Sequence, residues 1–100
     1  MSRVPLRRKP AYRVDGQIDW TLFGAAELIP VADLQRGDLA IITVPAWQTG
    51  ESGDQPVEVW REVIHVYDLP GGIRGGIVRN GRFEQRSVKF RSTVIAAQRA

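Results

Sequence analysis

The chain is predicted to be all-β: a small, strongly twisted antiparallel barrel of roughly five to seven strands with one or two short helical turns. Three observations lead there. The turn dipeptides Asp15-Gly16 and Asn80-Gly81 each sit between alternating apolar and polar segments, the pattern of tight hairpins. Leu39 to Val44 and Val57 to Tyr67 are rich in β-branched residues, which pack well on a pleated surface. Only residues 25 to 36 carry any helical signal.

In chain order, Ala11 to Val14 and Gln17 to Phe23 flank Asp15-Gly16 and are expected to form a first hairpin on a type I′ turn, with positive φ at both central residues. Ala25 to Ile29 begins a helical pattern that Pro30 stops, and Val31 to Leu34 can add one turn before Gly37. Arg36-Gly37-Asp38 reads as a turn entering the strand Leu39 to Val44. The polar segment from Pro45 to Pro56 is long for a hairpin loop, so a binding role is considered for it. In the run from Val57, polarity changes face near Arg61 to Val63. A β-bulge or bend there would reset the alternation, as where a strand turns the corner of a small barrel. Pro70-Gly71-Gly72 reverses the chain, and Gly75-Gly76 inside the returning strand predicts a kink or a close approach of another group. Asn80-Gly81 then joins Ile77 to Arg79 with Arg82-Phe83, and Val88 to Ile95 alternates as a last strand with a basic face, unless Ser92 caps a short terminal helix through Gln98.

A length of 100 residues suits one domain that buries about two-thirds of its unfolded surface. We expect a basic arm over residues 1 to 10 and a single barrel domain over 11 to 100. The apolar share of 43% and three tryptophans support a core, and 25% charged residues is ordinary for a soluble protein. Cysteine is absent, which removes disulfides, thiolate metal sites and a cysteine nucleophile together. No apolar run approaches the roughly 20 residues of a membrane span, and no apolar segment follows the basic N-terminus, so a cytoplasmic soluble protein is expected.

The charges are sorted along the chain. Residues 1 to 13 hold Arg3, Arg7, Arg8, Lys9 and Arg13 without an acid, a balance of +5. Residues 14 to 73 hold ten acids against Arg36 and Arg61, a balance of −8. Residues 74 to 100 hold seven bases against Glu84, a balance of +6. Separated signs create local potentials that the net +3 conceals.

Motifs for chemistry are sparse. His65 is the single histidine and lies within a strand pattern, so no metal cluster forms around it. Glu58 and Glu62 share one strand face and read as solvated charges rather than an acid/base pair. Gly71 to Gly76 is glycine-rich but lacks the Lys-Ser/Thr of a phosphate loop. No catalytic residue, cofactor or metal is assigned, and the chain is not expected to be an enzyme.

The stretch Leu34-Gln35-Arg36-Gly37-Asp38-Leu39-Ala40-Ile41-Ile42 resembles the opening of SH3-like barrels, where a Gly-Asp turn feeds the first long strand, so the barrel is taken as SH3-like or OB-like in type. Continuing through Pro45, Gly50-Glu51, Gly53 and Pro56-Val57, it is similar to the start of growth-inhibitor toxin ribonucleases of toxin–antitoxin pairs. That family places an arginine used in RNA cleavage before the proline; here the residue is Gln55, and residues 1 to 35 have no counterpart in it. The resemblance therefore implies a small barrel and not the cleavage.

The basic C-terminal section carries the leading functional expectation. On a two-residue Asn80-Gly81 turn, Arg79 and Arg82 would face each other, and Arg74, Arg86, Lys89 and Arg91 would extend the positive field. Like charges so placed make sense when RNA or DNA phosphate neutralises them. Arg7, Arg8 and Lys9 would add a flexible arm, and Phe83, Tyr67 or an exposed tryptophan could stack on bases. Alternatively, the basic strands pair with the acidic middle inside the fold, at Glu58 and Glu62. In a third view, Trp47, Glu51 and Asp54 dock the acidic middle on a basic protein partner, with tryptophan as the anchor.

Overall fold

The computed structural model describes residues 10–49, 53–80 and 84–100. They form a six-stranded antiparallel sheet in the order β1-β6-β2-β3-β4-β5. The strands are β1 (Phe23–Pro30), β2 (Leu39–Val44), β3 (Val57–Leu69), β4 (Ile73–Arg79), β5 (Gln85–Phe90) and β6 (Thr93–Arg99). Four 3-10 turns punctuate them: η1 (Trp20–Leu22), η2 (Val31–Asp33), η3 (Ala46–Thr49) and η4 (Pro70–Gly72). The chain is thus all-β as expected, with four short turns in place of one or two. No helix among the described residues is long and apolar enough to cross a membrane.

The spine is β3. Its first half pairs with β2, from Val44↔Val57 to Leu39↔Glu62. Its second half pairs with β4, from Val63↔Val78 to Leu69↔Ile73, with a register shift between Val63 and His65. Before the shift Val57, Val59 and Val63 face the main core; after it Val66 does, because the extra residue restores the inward parity. The bend expected at Arg61 to Val63 falls just beyond those residues.

The main core joins Ile29, Val31, Leu34, Ala40, Ile42, Val44, Val63, Val78, Phe90, Val94 and Ala96. Ile29 lies on β1 and Phe90 on β5. These strands stand at opposite ends of the strand order, so the sheet curls around a shared interior. At Gly76 a methyl group would meet Cε2 of Phe90 at 2.5 Å. The ring therefore occupies the space that a side chain would need, which is the close approach expected of the glycine pair.

A second cluster lies on the outer face of β2, β3 and β6, where Ala11, Phe23, Leu39 and Ala97 are buried with Tyr12, Ile18, Leu22 and Trp60. The N-terminal hairpin supplies this cover. Its turn differs from the expected type I′ form: only Gly16 has positive φ, at 85°. Arg13 N–H donates to the Gln17 carbonyl at 2.6 Å and Gly16 N–H to the Arg13 carbonyl at 2.9 Å. This is a three-residue loop whose last residue alone is left-handed, so Asp15 avoids the strained region. The ladder is a single bridge, Tyr12↔Ile18. Beyond it Asp19 caps η1 through Thr21, so Trp20 to Leu22 leave the expected strand.

Two further expectations are overturned. Ala25 to Ile29 is strand, not helix: β1 pairs with β6 from Ala26↔Ala97 to Pro30↔Thr93. Five residues between Gly24 and Pro30 are too few for a stable helix, whereas the edge strand buries Ile29 and tolerates the proline at its end. Val31 to Asp33 does form the extra turn. The final basic strand is two strands, because Arg91 and Ser92 leave the ladder and Ser92 accepts from Val31 N–H at 2.9 Å. Alternation runs through the break, with Phe90 and Val94 buried while Arg91, Thr93 and Ile95 are exposed, and this hid it.

Candidate functional site

The fold divides the C-terminal basic residues into paired and open groups. Arg74 is structural. Its Nε pairs with Asp68 at 3.3 Å, and a terminal nitrogen donates to the carbonyls of Val31, Ala32 and Leu34 at 3.3–3.4 Å. It ties β4 to the turn η2 rather than extending a ligand field. Arg79 pairs with Glu62 at 3.2 Å, and Arg99 takes the other oxygen of Glu62 at 3.2 Å. The alternative of intramolecular pairing therefore holds at Glu62, whose side chain is only 15% exposed, against the expectation of a solvated charge.

The hairpin geometry also changes. Arg79 lies opposite Gln85, not Arg82, and Asn80 N–H donates to the Glu84 carbonyl at 2.9 Å. The ladder therefore ends too early for a two-residue Asn80-Gly81 turn. Arg82 and Phe83 lie outside the described residues, as do Arg7, Arg8, Lys9 and Glu51.

Arg86 enters a polar cluster that the sequence did not announce. Its inward parity on β5 directs it to Gln48, whose Oε1 accepts from an Arg86 terminal nitrogen at 2.9 Å. The same oxygen accepts a long contact from Asn80 Nδ2 at 3.5 Å. Asn80 Oδ1 in turn faces Nε of Arg61 at 3.5 Å, and Arg61 also donates to the Trp60 carbonyl at 2.9 Å. All four side chains belong to half-buried residues. Arg61 extends the inward row of Val57 and Val59 on β3, while buried Ala46 anchors η3 and so places Gln48.

The cluster brings two guanidinium groups together with two carboxamides, and no carboxylate of a described residue pairs with either arginine. Two half-desolvated cations held by neutral acceptors keep donors free for an anion. Arg61 was legible in one respect: it is one of two bases in the acidic middle, at an inward position of a long strand. Gln48 and Asn80 carried no such signal, because carboxamides reveal themselves only through their partners.

Lys89 and Arg91 are exposed on the other face of β5 and its continuation. Trp47 is 72% exposed on η3, beside a shallow cleft lined by Thr43, Pro45, Gly53, Asp54 and Pro56. Asp54 is exposed there. A broader cleft includes Thr21, Gln35, Asp38, Gln98 and Arg99. Its Asp38 accepts from the backbone N–H of Gln35 and Arg99, a structural tie across the turn before β2. Among the described residues no group of three or more His, Asp or Glu could hold a metal ion. No protein-family model, curated protein or solved structure matches this chain.

Proposed function

We propose that this chain is a small nucleic-acid-binding module on an SH3-like barrel, acting by binding rather than catalysis, with phosphate held by Arg61 and Arg86. The observation that carries this reading is the Gln48–Arg61–Asn80–Arg86 cluster: two half-buried guanidiniums with carboxamide partners and no paired carboxylate among the described residues. Guanidinium forks match phosphate oxygens, and counterion release adds affinity at low salt. The strand order β6-β2-β3-β4-β5, with the last strand returning beside the first of the meander, supports the SH3-like form over the OB-like one. Here β1 is added outside β6.

Fluorescence anisotropy of a labelled oligonucleotide at low and near-physiological salt tests the proposal. Binding should weaken steeply with salt. The double variant Arg61→Gln/Arg86→Gln should bind more weakly, with a salt slope lower by about 1.4, from roughly 0.7 per phosphate contact on a single strand. A wild-type protein that binds nothing at low salt refutes the reading.

One observation favours a second role, docking on a basic protein surface: a tryptophan as exposed as Trp47, with Asp54 beside it. On that reading Trp47→Ala abolishes partner capture without loss of fold, whereas Arg61→Gln/Arg86→Gln does not.

A further inference from the structure

Building on the nucleic-acid reading above, we infer that the outer face of β3, β4 and β5 is a base-stacking platform that selects unpaired strands over duplex. Its centre is Tyr67. In register, Tyr67 lies opposite Gly75 and Gly75 opposite Lys89. A methyl group on Gly75 would meet Cζ of Tyr67 at 2.5 Å. The phenol therefore lies down on the glycine backbone, leaving its other face outward. His65 is exposed on the same face, its ring inclined 27° to that of Tyr67 with centroids 6.0 Å apart. The bulge after Val63 is what brings both rings to this side.

Charge complementarity selects the occupant. Lys89 and Arg91 are exposed, and neither has an ion-pair partner among the described residues. Beyond the bulge, where β3, β4 and β5 pair, the outward positions are His65, Tyr67, Leu69, Ile73, Gly75, Ile77, Arg79, Gln85, Ser87 and Lys89; the acid on the earlier part of this face of β3 that lies nearest them, Glu62, is held by Arg79 and Arg99. Two aromatic faces flanked by unneutralised cations suit a single strand, whose bases offer π-surfaces while its phosphates meet the cations. A duplex hides those surfaces within its own stack and offers only phosphate. The cluster at Arg61 and Arg86 binds either form; the platform distinguishes them.

The test compares a labelled oligo-uridine with a hairpin RNA duplex by anisotropy at one salt concentration. The wild-type protein should prefer the single strand. Tyr67→Ala and His65→Ala should each weaken single-strand binding about ten-fold, within the range for loss of one stacked base, with duplex binding unchanged. Tyr67→Phe, which keeps the ring, should retain the preference. An oligomer containing 4-thiouridine, crosslinked to the wild-type protein, should label the tryptic peptide Glu62–Arg74, which contains both rings. This readout stands even where an alanine variant fails to fold. Crosslinks elsewhere, or equal affinity for both forms, overturn the platform. If binding still depends on Arg61 and Arg86, the broader reading survives that failure. A wild-type protein binding neither RNA removes both.

Discussion

Glu62→Gln tests how the segregated charges are reconciled in the fold. The Glu62 carboxylate receives Arg79 on one oxygen and Arg99 on the other, each at 3.2 Å. Glu62 and Arg99 are 15% and 14% exposed, whereas Arg79 is 39% exposed. The Arg99 half is the costly one to break, because that guanidinium is also held by the Gly37 carbonyl at 3.1 Å and lies over the Phe23 ring at 5.3 Å. It cannot follow water without abandoning those contacts. Removing one partner of a buried ion pair costs about 3–5 kcal/mol, while an exposed pair contributes about 0.2–1 kcal/mol. Glutamine retains the shape and one acceptor, so a net loss near the lower bound, about 3 kcal/mol, is expected.

For a domain of this size, that loss lowers Tm by about 15 °C. Thermal unfolding followed by tryptophan fluorescence suits the question, because Trp60 lies in the same outer cluster and packs edge-on against Trp20 at 5.2 Å. Urea titration with an unchanged m-value would assign the shift to native stability. A glutamine variant melting within about 2 °C of wild type would refute the reasoning, since Glu62 would then not be the point where basic strands meet the acidic middle. Below its melting range the variant should bind oligonucleotides at least as well as wild type, because Arg79 is released on the proposed binding face.

Arg74→Met should cost about 1–2 kcal/mol in urea denaturation, from lost hydrogen bonds to the η2 carbonyls, and leave oligonucleotide affinity unchanged in anisotropy. Gly76→Ala should destabilise by about 2–3 kcal/mol, because the methyl group would strike the buried Phe90 ring. Gly75→Ala should cost less in the same assay, since the outward Tyr67 can swing aside. Burial holds the Tyr12 hydroxyl above its ordinary pKa, reinforced by Glu62 and opposed by the Glu62 N–H bond and by Arg61 and Arg79. The neutral phenol is therefore favoured in the folded state. Its contribution is complete below about pH 10 and is lost as pH rises through the elevated folded-state pKa. Urea midpoints measured from about pH 9 to 11 should fall more steeply for wild type than for Tyr12→Phe.

The parts of the fold legible in the sequence are those governed by short-range rules. The β3 parity break, the tight packing at Gly75-Gly76 and the turn at Arg36 to Asp38 each follow from local stereochemistry, and each is present. Failures occur where a distant partner decides. Residues 25 to 29 carry fair helix formers, but β6 offers them a ladder that their own segment does not reveal. The break at Arg91 and Ser92 preserves alternation, so nothing local marks it. The same limit governs the site. Arg74 and Arg79 look like open cations in a list of charges, and only long-range contacts to η2 and Glu62 show them occupied. Arg86 belongs to the basic block visible in the sequence, while its companions Arg61, Gln48 and Asn80 come from three other segments.

Sorting those cations by partner changes what the charge asymmetry means. Sequence blocks of +5, −8 and +6 suggest a molecule with one basic end, but β3 carries the acidic block into contact with the C-terminal strands at Glu62 and Asp68. Pairing there offsets part of the charge of Arg74, Arg79 and Arg99. Arg61 and Arg86 remain on the inward side, Lys89 and Arg91 on the outer face, and the β5 edge separates the two sets. A polyanion engaging both must pass around that edge, and a flexible single strand does so at far lower bending cost than a duplex, whose persistence length is about 150 base pairs. The positions of the unpaired cations thus favour the same ligand as the rings of His65 and Tyr67.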